Sequence, residues 1–333
     1  MAENERFLIT GALGCIGAWA VRSLVREGVK VVVFDLGSEP KRLQLLLSEA
    51  ELAQVSFVTG DITDLEAFEE ALDDHEINHV IHLAGLQVPF CKADPALGAR
   101  VNVVGTVNVF EAVKRRKDRI HKVVYASSAA VFGAPEDYEE DQVIDDDAPL
   151  MPHTHYGVYK RANEGTAHVY FNDDGVSSIG LRPYVVYGVA RDQGMSSTPT
   201  TAMFAAAVNR AYHIPYGGQM VFQYAEDTAR AFIQSARSDF EGAGAFNLGG
   251  PAPHMNDVQA AIEKAAPEVA GKITFEDVQL PFPPDVDGSG LERTIGSVSH
   301  KPLEEGVAET VEMFRGLVKS GKLDAEAYLE ERS

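Results

Sequence analysis

The sequence predicts an α/β fold, a doubly wound parallel sheet with a smaller C-terminal unit, and three observations carry that expectation. Short β-branched runs alternate with longer helical stretches through the first half of the chain, the pattern of right-handed βαβ units. Each run is apolar and closed by turn or charged residues, as a strand covered on both faces requires. The chain has 333 residues, 45% of them apolar and 24% charged. At ~150 residues per domain, that length gives about two folding units with a substantial core.

The expected strands are Arg6 to Thr10, Val29 to Asp35, Val55 to Thr59, Val80 to Ala84, Lys122 to Ala126 and Ser178 to Arg182. Helical periodicity marks Ile16 to Glu27, Leu65 to Asp73, Asp94 to Arg116 and His155 to Phe171. From Val189 onward, Pro199, Pro215, Pro251, Pro253, Pro281, Pro283, Pro284 and Pro302 punctuate the chain and argue against a regular sheet. The reading therefore divides the chain into residues 1–188, with a returning segment near 223–249, and a smaller substrate-binding unit of 189–222 and 250–333. No internal repeat is visible. The segment Asp137 to Asp147 holds seven acids in eleven positions and reads as a solvated loop.

Fifty acidic side chains against 29 basic ones leave a formal charge of −21, a field that repels nucleic-acid phosphates and anionic lipid. Apolar runs such as Val29 to Leu36 fall far short of the ~20 residues a bilayer needs. The start, Met1 to Arg6, carries Glu3 and Glu5 where a secretory signal is basic and then apolar, so a cytoplasmic protein is expected. Cys15 and Cys91 are the two cysteines. Neither has Cys or His at ligand spacing, so both read as reduced, packed thiols and no metal site is expected.

The chemistry begins at Thr10-Gly11-Ala12-Leu13-Gly14-Cys15-Ile16-Gly17, directly after the first strand and opening the first helix. Gly11 permits the tight turn, Gly14 lets backbone approach a pyrophosphate, and Gly17 lets helix and strand pack closely. Amides of Leu13, Cys15 and Ile16 then face the anion. The motif makes the sheet one of Rossmann type and points to a dinucleotide. Asp35 closes the second strand, eighteen residues beyond Gly17, where a carboxylate accepts from ribose hydroxyls and repels a 2′-phosphate. That favours NAD over NADP, although Lys41 and Arg42 follow closely. Asp61-Ile62 after the third strand and Leu83-Ala84-Gly85 after the fourth lie where open sheets bind ligands.

Ser127-Ser128 ends the fifth strand, and Tyr156-Gly157-Val158-Tyr159-Lys160 stands on the next helix. Four residues apart, Tyr156 and Lys160 share a helix face, and a cation beside a phenol lowers its pKa from about 10. Taken alone, the pair reads equally well as part of an amphipathic helix.

Together these residues resemble the extended short-chain dehydrogenase/reductase family, of the NAD-dependent epimerase/dehydratase type. The carriers are Thr10 to Gly17, Asp35, Asp61, Asn102 to Thr106, Ser127 to Gly133, Tyr156 to Lys160, Arg182-Pro183 and Pro302 to Gly306, spread over nearly the whole chain. The resemblance implies NAD as cofactor, Tyr156 as general acid/base, Lys160 as its partner and ribose contact, and Ser128, counted three places back from Val131, as the group that holds the reacting oxygen. It implies Asn102 as support for the nicotinamide side and Pro183 as a further cofactor contact. It also implies a homodimer through the 94–116 and 155–171 helices, although Val101, Val104, Phe110 and Val113 read equally well as core.

The family's nucleotide-sugar epimerases clamp a diphosphate with arginines. Aligning on Asp227 puts Met220 at the first such position, and Pro281 to Gly290 lacks the second. Each lost charge-assisted contact is worth roughly 1.5–3 kcal/mol. The expected substrate is therefore a small sugar, sugar acid or polyol, met by Gln87, Val88, Ser128, Ala129, Arg191 and Thr198. Arg182 is expected to be structural, and His153 and His155 stay outside the catalytic set. A dehydrogenase, an epimerase that keeps its cofactor, and a non-catalytic NAD-binding protein all remain open.

Overall fold

A computed structural model describes residues 4–139 and 142–332. The strands are β1 (Arg6–Thr10), β2 (Lys30–Asp35), β3 (Ser56–Thr59), β4 (His79–His82), β5 (Lys122–Ala126), β6 (Ser177–Arg182), β7 (Val185–Tyr187), β8 (Tyr212–Ile214), β9 (Phe222–Tyr224), β10 (Ala243–Asn247) and β11 (Ile273–Phe275). Seven of them form one parallel sheet in the order β10-β6-β5-β4-β1-β2-β3. The order reverses between β1 and β4, so a crevice opens outside their carboxyl ends.

Side-chain alternation shows why these runs are strands. Phe7 and Ile9 of β1 enter one core with Val31 and Val33 of β2, while Leu8, Val32 and Phe34 enter the core on the opposite face. Trp19 and Val21 of the Cys15–Arg26 helix and Phe232 of the Ala225–Arg237 helix fill the first face. Phe68, Phe110 and Ala167, from helices Leu65–Asp74, Gly105–Lys114 and His155–Asp174, fill the second. Phe110 and Val113 are thus core residues of the single chain.

Three expectations need correction. The stretch 94–116 is not one helix: Pro95–Ala99 runs into a π-helical turn, Arg100–Val104, before Gly105–Lys114. The side chain of Asn102 in that turn is spent on the backbone of Leu86, and its carbonyl accepts from both Thr106 and Asn163. Beyond residue 189 the chain is more regular than its prolines suggested. β10 joins the main sheet beside β6, β7 pairs with β9, and β8 pairs with β11, all short strands between prolines. The acidic segment is more than a solvated loop. Asp146 accepts the Asn247 amide at 2.6 Å, its carbonyl takes Arg182 Nη1 at 3.0 Å, and partial burial raises its carboxyl above the usual value. Glu140 and Asp141 lie outside the described residues.

Candidate active site

The glycine loop is shaped by contacts that forbid side chains. Gly11 adopts φ of 64°, and a Cβ there would stand 2.6 Å from the Ala84 nitrogen. One at Gly17 would meet Ala12 Cα at 2.5 Å. The Cys15–Arg26 helix opens with Gly14 at its N-cap, no side-chain cap and no acid in its first turn, which leaves the positive end of the helix to an anion. Burial pushes the Cys15 thiol up to about 12, so this cysteine is packing, not a nucleophile.

Asp35 is held at the end of β2 by the amides of Leu13 at 3.0 Å and Gly37 at 3.2 Å, so the Leu13 amide, expected to face the anion, is turned to this carboxylate instead. Arg42 points elsewhere: it donates to Leu13 O at 2.9 Å and to Asp192 at 2.7 Å. Lys41 pairs with Glu39 in solvent. Arg42 is therefore committed within the protein, and Lys41 stands in solvent on an exposed ion pair. Asp61 caps its own turn through Thr63, and Ile62 is buried against Gly105.

A relay that sequence reading missed runs beneath this loop. The amides of Leu83 and Ala84 donate to Thr10 Oγ1, whose own proton goes to His82 Nδ1 at 2.7 Å. His82 Nε2 meets Thr106 Oγ1 at 3.0 Å, and Thr106 donates to Asn102 O at 2.7 Å. Burial drives His82 down to about 3, so it is neutral. The amide of Asn102 grips Leu86 N and O at 2.9 and 3.0 Å and Cys91 Sγ at 3.1 Å. Gly85 must lack a side chain because a Cβ would lie 2.6 Å from Asn102 Oδ1. Only an alternating Thr, His and Asn along three elements signals this network, and no linear motif does.

At the ends of β5 and β6 the chain brings Ser128, Tyr156 and Lys160 together. Ser128 Oγ accepts the Ala130 amide at 3.1 Å, and its hydroxyl acts on Tyr156 to favour the ionised phenol. Lys160 is buried, and its Nζ donates to Ala126 O at 2.6 Å while lying 5.6 Å from the Tyr156 ring centre. The expected depression of the phenol by Lys160 is not what the structure has. Burial raises Tyr156 above its usual value, and the Ser128 hydrogen bond and the Arg191 cation only partly offset this. Lys160 itself is lowered to about 8 by burial.

Ser127 does a different job. It donates to Glu164 Oε1 at 2.5 Å, and Arg182 grips the same carboxylate at 2.9 and 2.8 Å. This buried, bidentate pair pins the β5 end to the Tyr156 helix, so Arg182 is structural, as its place at a strand end suggested. Glu164, four residues beyond Lys160, was not singled out from sequence. His153 pairs with Asp137 and His155 stacks on Tyr159, both outside the cluster. Pro183 O and the Ala129 amide satisfy each other at 3.0 Å, which leaves Ala129 no free donor. Val88 opens a short helix that follows Gln87, whose side chain makes no capping hydrogen bond. Gln87, Arg191 and Thr198 come to one place around Gly194 and Tyr216.

Residues 7–249 match the NAD dependent epimerase/dehydratase family. The chain belongs to that family. A UDP-glucose 4-epimerase of Mycolicibacterium smegmatis is 31% identical over 324 residues, which cover 93% of this chain and 98% of that one. Among solved structures, a UDP-glucose 4-epimerase of Thermus thermophilus complexed with NAD is 26% identical, with a TM-score of 0.74 over 93% of this chain and 99% of that one. A partial consensus L-threonine 3-dehydrogenase has a TM-score of 0.81 at 21% identity over 93% and 99%, a likeness of fold. NAD is the cofactor of the family, and the loop here fits it. Gly11 and Gly17 have no room for side chains, the helix end is uncapped, and the Asp35 carboxylate closes β2 beside this loop, held by the Leu13 amide. Among the described residues no His/Cys/Asp/Glu cluster could hold a metal, and no helix is long and apolar enough to cross a membrane.

Proposed function

We propose that the protein is an NAD-dependent oxidoreductase acting on one secondary alcohol of a small sugar, sugar acid or polyol. The observation that carries this reading is the Ser128–Tyr156–Lys160 cluster at the carboxyl edge of the sheet, next to the Gly11 to Gly17 loop. Gly11, Gly14, Cys15, Ile16 and Gly17 hold the pyrophosphate, Asp35, steadied by the Leu13 amide, the adenine ribose, and Asp61 and Ile62 flank the adenine. Leu83, Ala84, Gly85, Asn102 and Pro183 line the nicotinamide side. When bound, NAD supplies the hydride acceptor.

Ser128 fixes the substrate oxygen, and the Tyr156 hydroxyl takes its proton. Lys160, lowered to about 8 by burial and so still largely charged at neutral pH, lies beside the Tyr156 ring and carries the ribose. Residues 1–188 with 223–249 form the NAD-binding unit, and the remainder shapes the substrate side. Met220 is fully buried in the core, so no cation reaches a diphosphate from that position.

A second reading, an epimerase that returns the hydride and keeps its cofactor, is favoured by the M. smegmatis relative. Absorbance separates them. NADH accumulating with a panel of sugars, sugar acids and polyols supports the dehydrogenase, whereas turnover of UDP-glucose without net NADH supports the epimerase. Tyr156→Phe must lose about 10²–10⁴ in kcat while still binding NAD, and full turnover by that variant would defeat both readings.

The protein is further proposed to be a homodimer. Leu97 on the helix before the π-turn, Val104 at the end of that turn, and Val158 and Val169 on the Tyr156 helix are 43–57% exposed, which is the composition of a covered face.

A further inference from the structure

Arg42 and Asp35 grip opposite ends of one residue in the glycine loop. The Leu13 amide donates to Asp35 Oδ2 at 3.0 Å, and the Leu13 carbonyl accepts from Arg42 Nη1 at 2.9 Å. The rest of the guanidinium is spent on Asp192 Oδ1, which takes Nε and Nη2, each at 2.7 Å. A cation thus stands one residue away from the carboxylate placed at the ribose, and a residue from a distant loop engages it.

Both partners of this contact are fixed. The loop of Asp192 is fastened to the Cys15–Arg26 helix by Trp19 Nε1, which donates to Val189 O at 2.9 Å, and it turns back on itself where the Arg191 amide meets Gly188 O at 3.0 Å. Arg332 Nη2 stands 3.5 Å from the second Asp192 oxygen, and its guanidinium lies 3.8 Å over the ring of buried Tyr328. On the other side, the Lys41–Leu46 helix that carries Arg42 buries Leu43 and Leu46. Lys322 Nζ closes the end of that helix, donating to Gln44 O at 2.9 Å and Leu47 O at 3.3 Å. With both backbones held, side-chain partners decide where the guanidinium goes.

A 2′-phosphate on the adenine ribose would meet the Asp35 charge and would need a cation to offset it. Arg42 could supply one only by leaving its charge-assisted contacts with Asp192, together worth about tenfold or more in an equilibrium constant. The exchange gives up as much as it gains, so the phosphate is left facing Asp35.

We infer that Asp192 is a cofactor-selectivity residue: it holds Arg42 on the Leu13 carbonyl and so denies NADP its cation. Discrimination here works by withholding a partner from the wrong ligand. The inference rests on the placement of Asp35 at the ribose, and it is the same for an oxidation and for an epimerisation.

Nicotinamide fluorescence, titrated with NADH and with NADPH, reads both affinities without turnover. Wild type prefers NADH. Asp192→Ala binds NADPH about tenfold tighter than wild type does and keeps its NADH affinity within about threefold. Asp192→Glu, which restores the carboxylate, cancels the gain. The gain also vanishes in Arg42→Gln/Asp192→Ala and survives in Lys41→Gln/Asp192→Ala, because Lys41 is not its source. Asp35→Ala/Asp192→Ala, lacking both carboxylates, prefers NADPH. A loosened fold would weaken both dinucleotides instead. Should Asp192→Ala fail to fold, the isosteric Asp192→Asn removes the charge alone and must show the same Arg42-dependent gain in smaller measure.

NADPH affinity unchanged by the loss of Asp192 overturns the inference, and so does a gain that persists without Arg42 or disappears with Lys41. A wild type that binds NADPH as tightly as NADH overturns it as well. If Asp35→Ala leaves NADH affinity untouched while the Arg42-dependent gain remains, the ribose placement of Asp35 falls and the role of Asp192 stands. If Asp35→Ala weakens NADH and Asp192→Ala alters neither affinity, the reverse holds.

Discussion

Lys160 gives its Nζ proton to the carbonyl of Ala126, at 2.6 Å, and not to the hydroxyl of Tyr156. The lysine thus ties its helix to the end of β5, and its charge is costly there: burial lowers its pKa to about 8. Unfolded lysine titrates near 10.4, so between about pH 8 and pH 10 the unfolded chain binds the extra proton and folded stability rises with pH. Urea unfolding of wild type against Lys160→Met should show this climb, at about 1.4 kcal/mol per pH unit at most, in the wild type alone. Parallel curves would mean the lysine is not buried as a charge.

His82 predicts the opposite end of the scale. Its folded pKa of about 3 lies below the ordinary 6.5, so the stability it confers is complete above pH 6.5 and drains away as pH falls toward 3. Relative to His82→Gln, wild type should lose about 1.4 kcal/mol for each pH unit below 6.5. The variant is expected to be less stable at pH 7 but flatter in acid, and a wild type equally flat would break the Thr10–His82–Thr106 relay.

Cofactor choice follows from Asp35 and Arg42 together. Asp35→Ala removes the carboxylate, while Arg42 stays tied to Leu13 O and Asp192. The kcat/KM preference for NAD over NADP should therefore shrink by about tenfold or more without reversing. A full reversal would show that Arg42 swings free.

Gly17→Ala sets a Cβ 2.5 Å from Ala12 Cα, a backbone clash that no side chain can relieve. The loop must open, and NADH fluorescence titration should register at least about a tenfold weaker Kd. An unchanged Kd would separate this loop from the dinucleotide.

For the dimer, sedimentation of wild type at two copies and of Val104→Glu/Val158→Glu at one is the expected pair of results. A wild-type monomer ends that proposal.

Local patterns carried much of the fold. Alternating β-branched runs placed the first six strands to within a residue or two, because burial on both faces demands continuous apolar residues. The short strands after residue 189 have three to five residues each and sit between prolines, so periodicity had too little length to show them. The proposed site residues Gly11, Gly14, Gly17, Asp35, Ser128, Tyr156 and Lys160 could be picked out because the spacing that singles them out lies within one element or turn.

What sequence alone determined is this list of groups and the strand and helix ends that carry them, since turn geometry and helical period act over a few residues. Tertiary structure decided the electrostatics. Whether Lys160 lowers Tyr156 depends on burial and on the carbonyl of Ala126, supplied by another element. Whether Arg42 meets a phosphate depends on Asp192, 150 residues away. Charge and desolvation are set by neighbours in space, and only the folded chain brings those neighbours together.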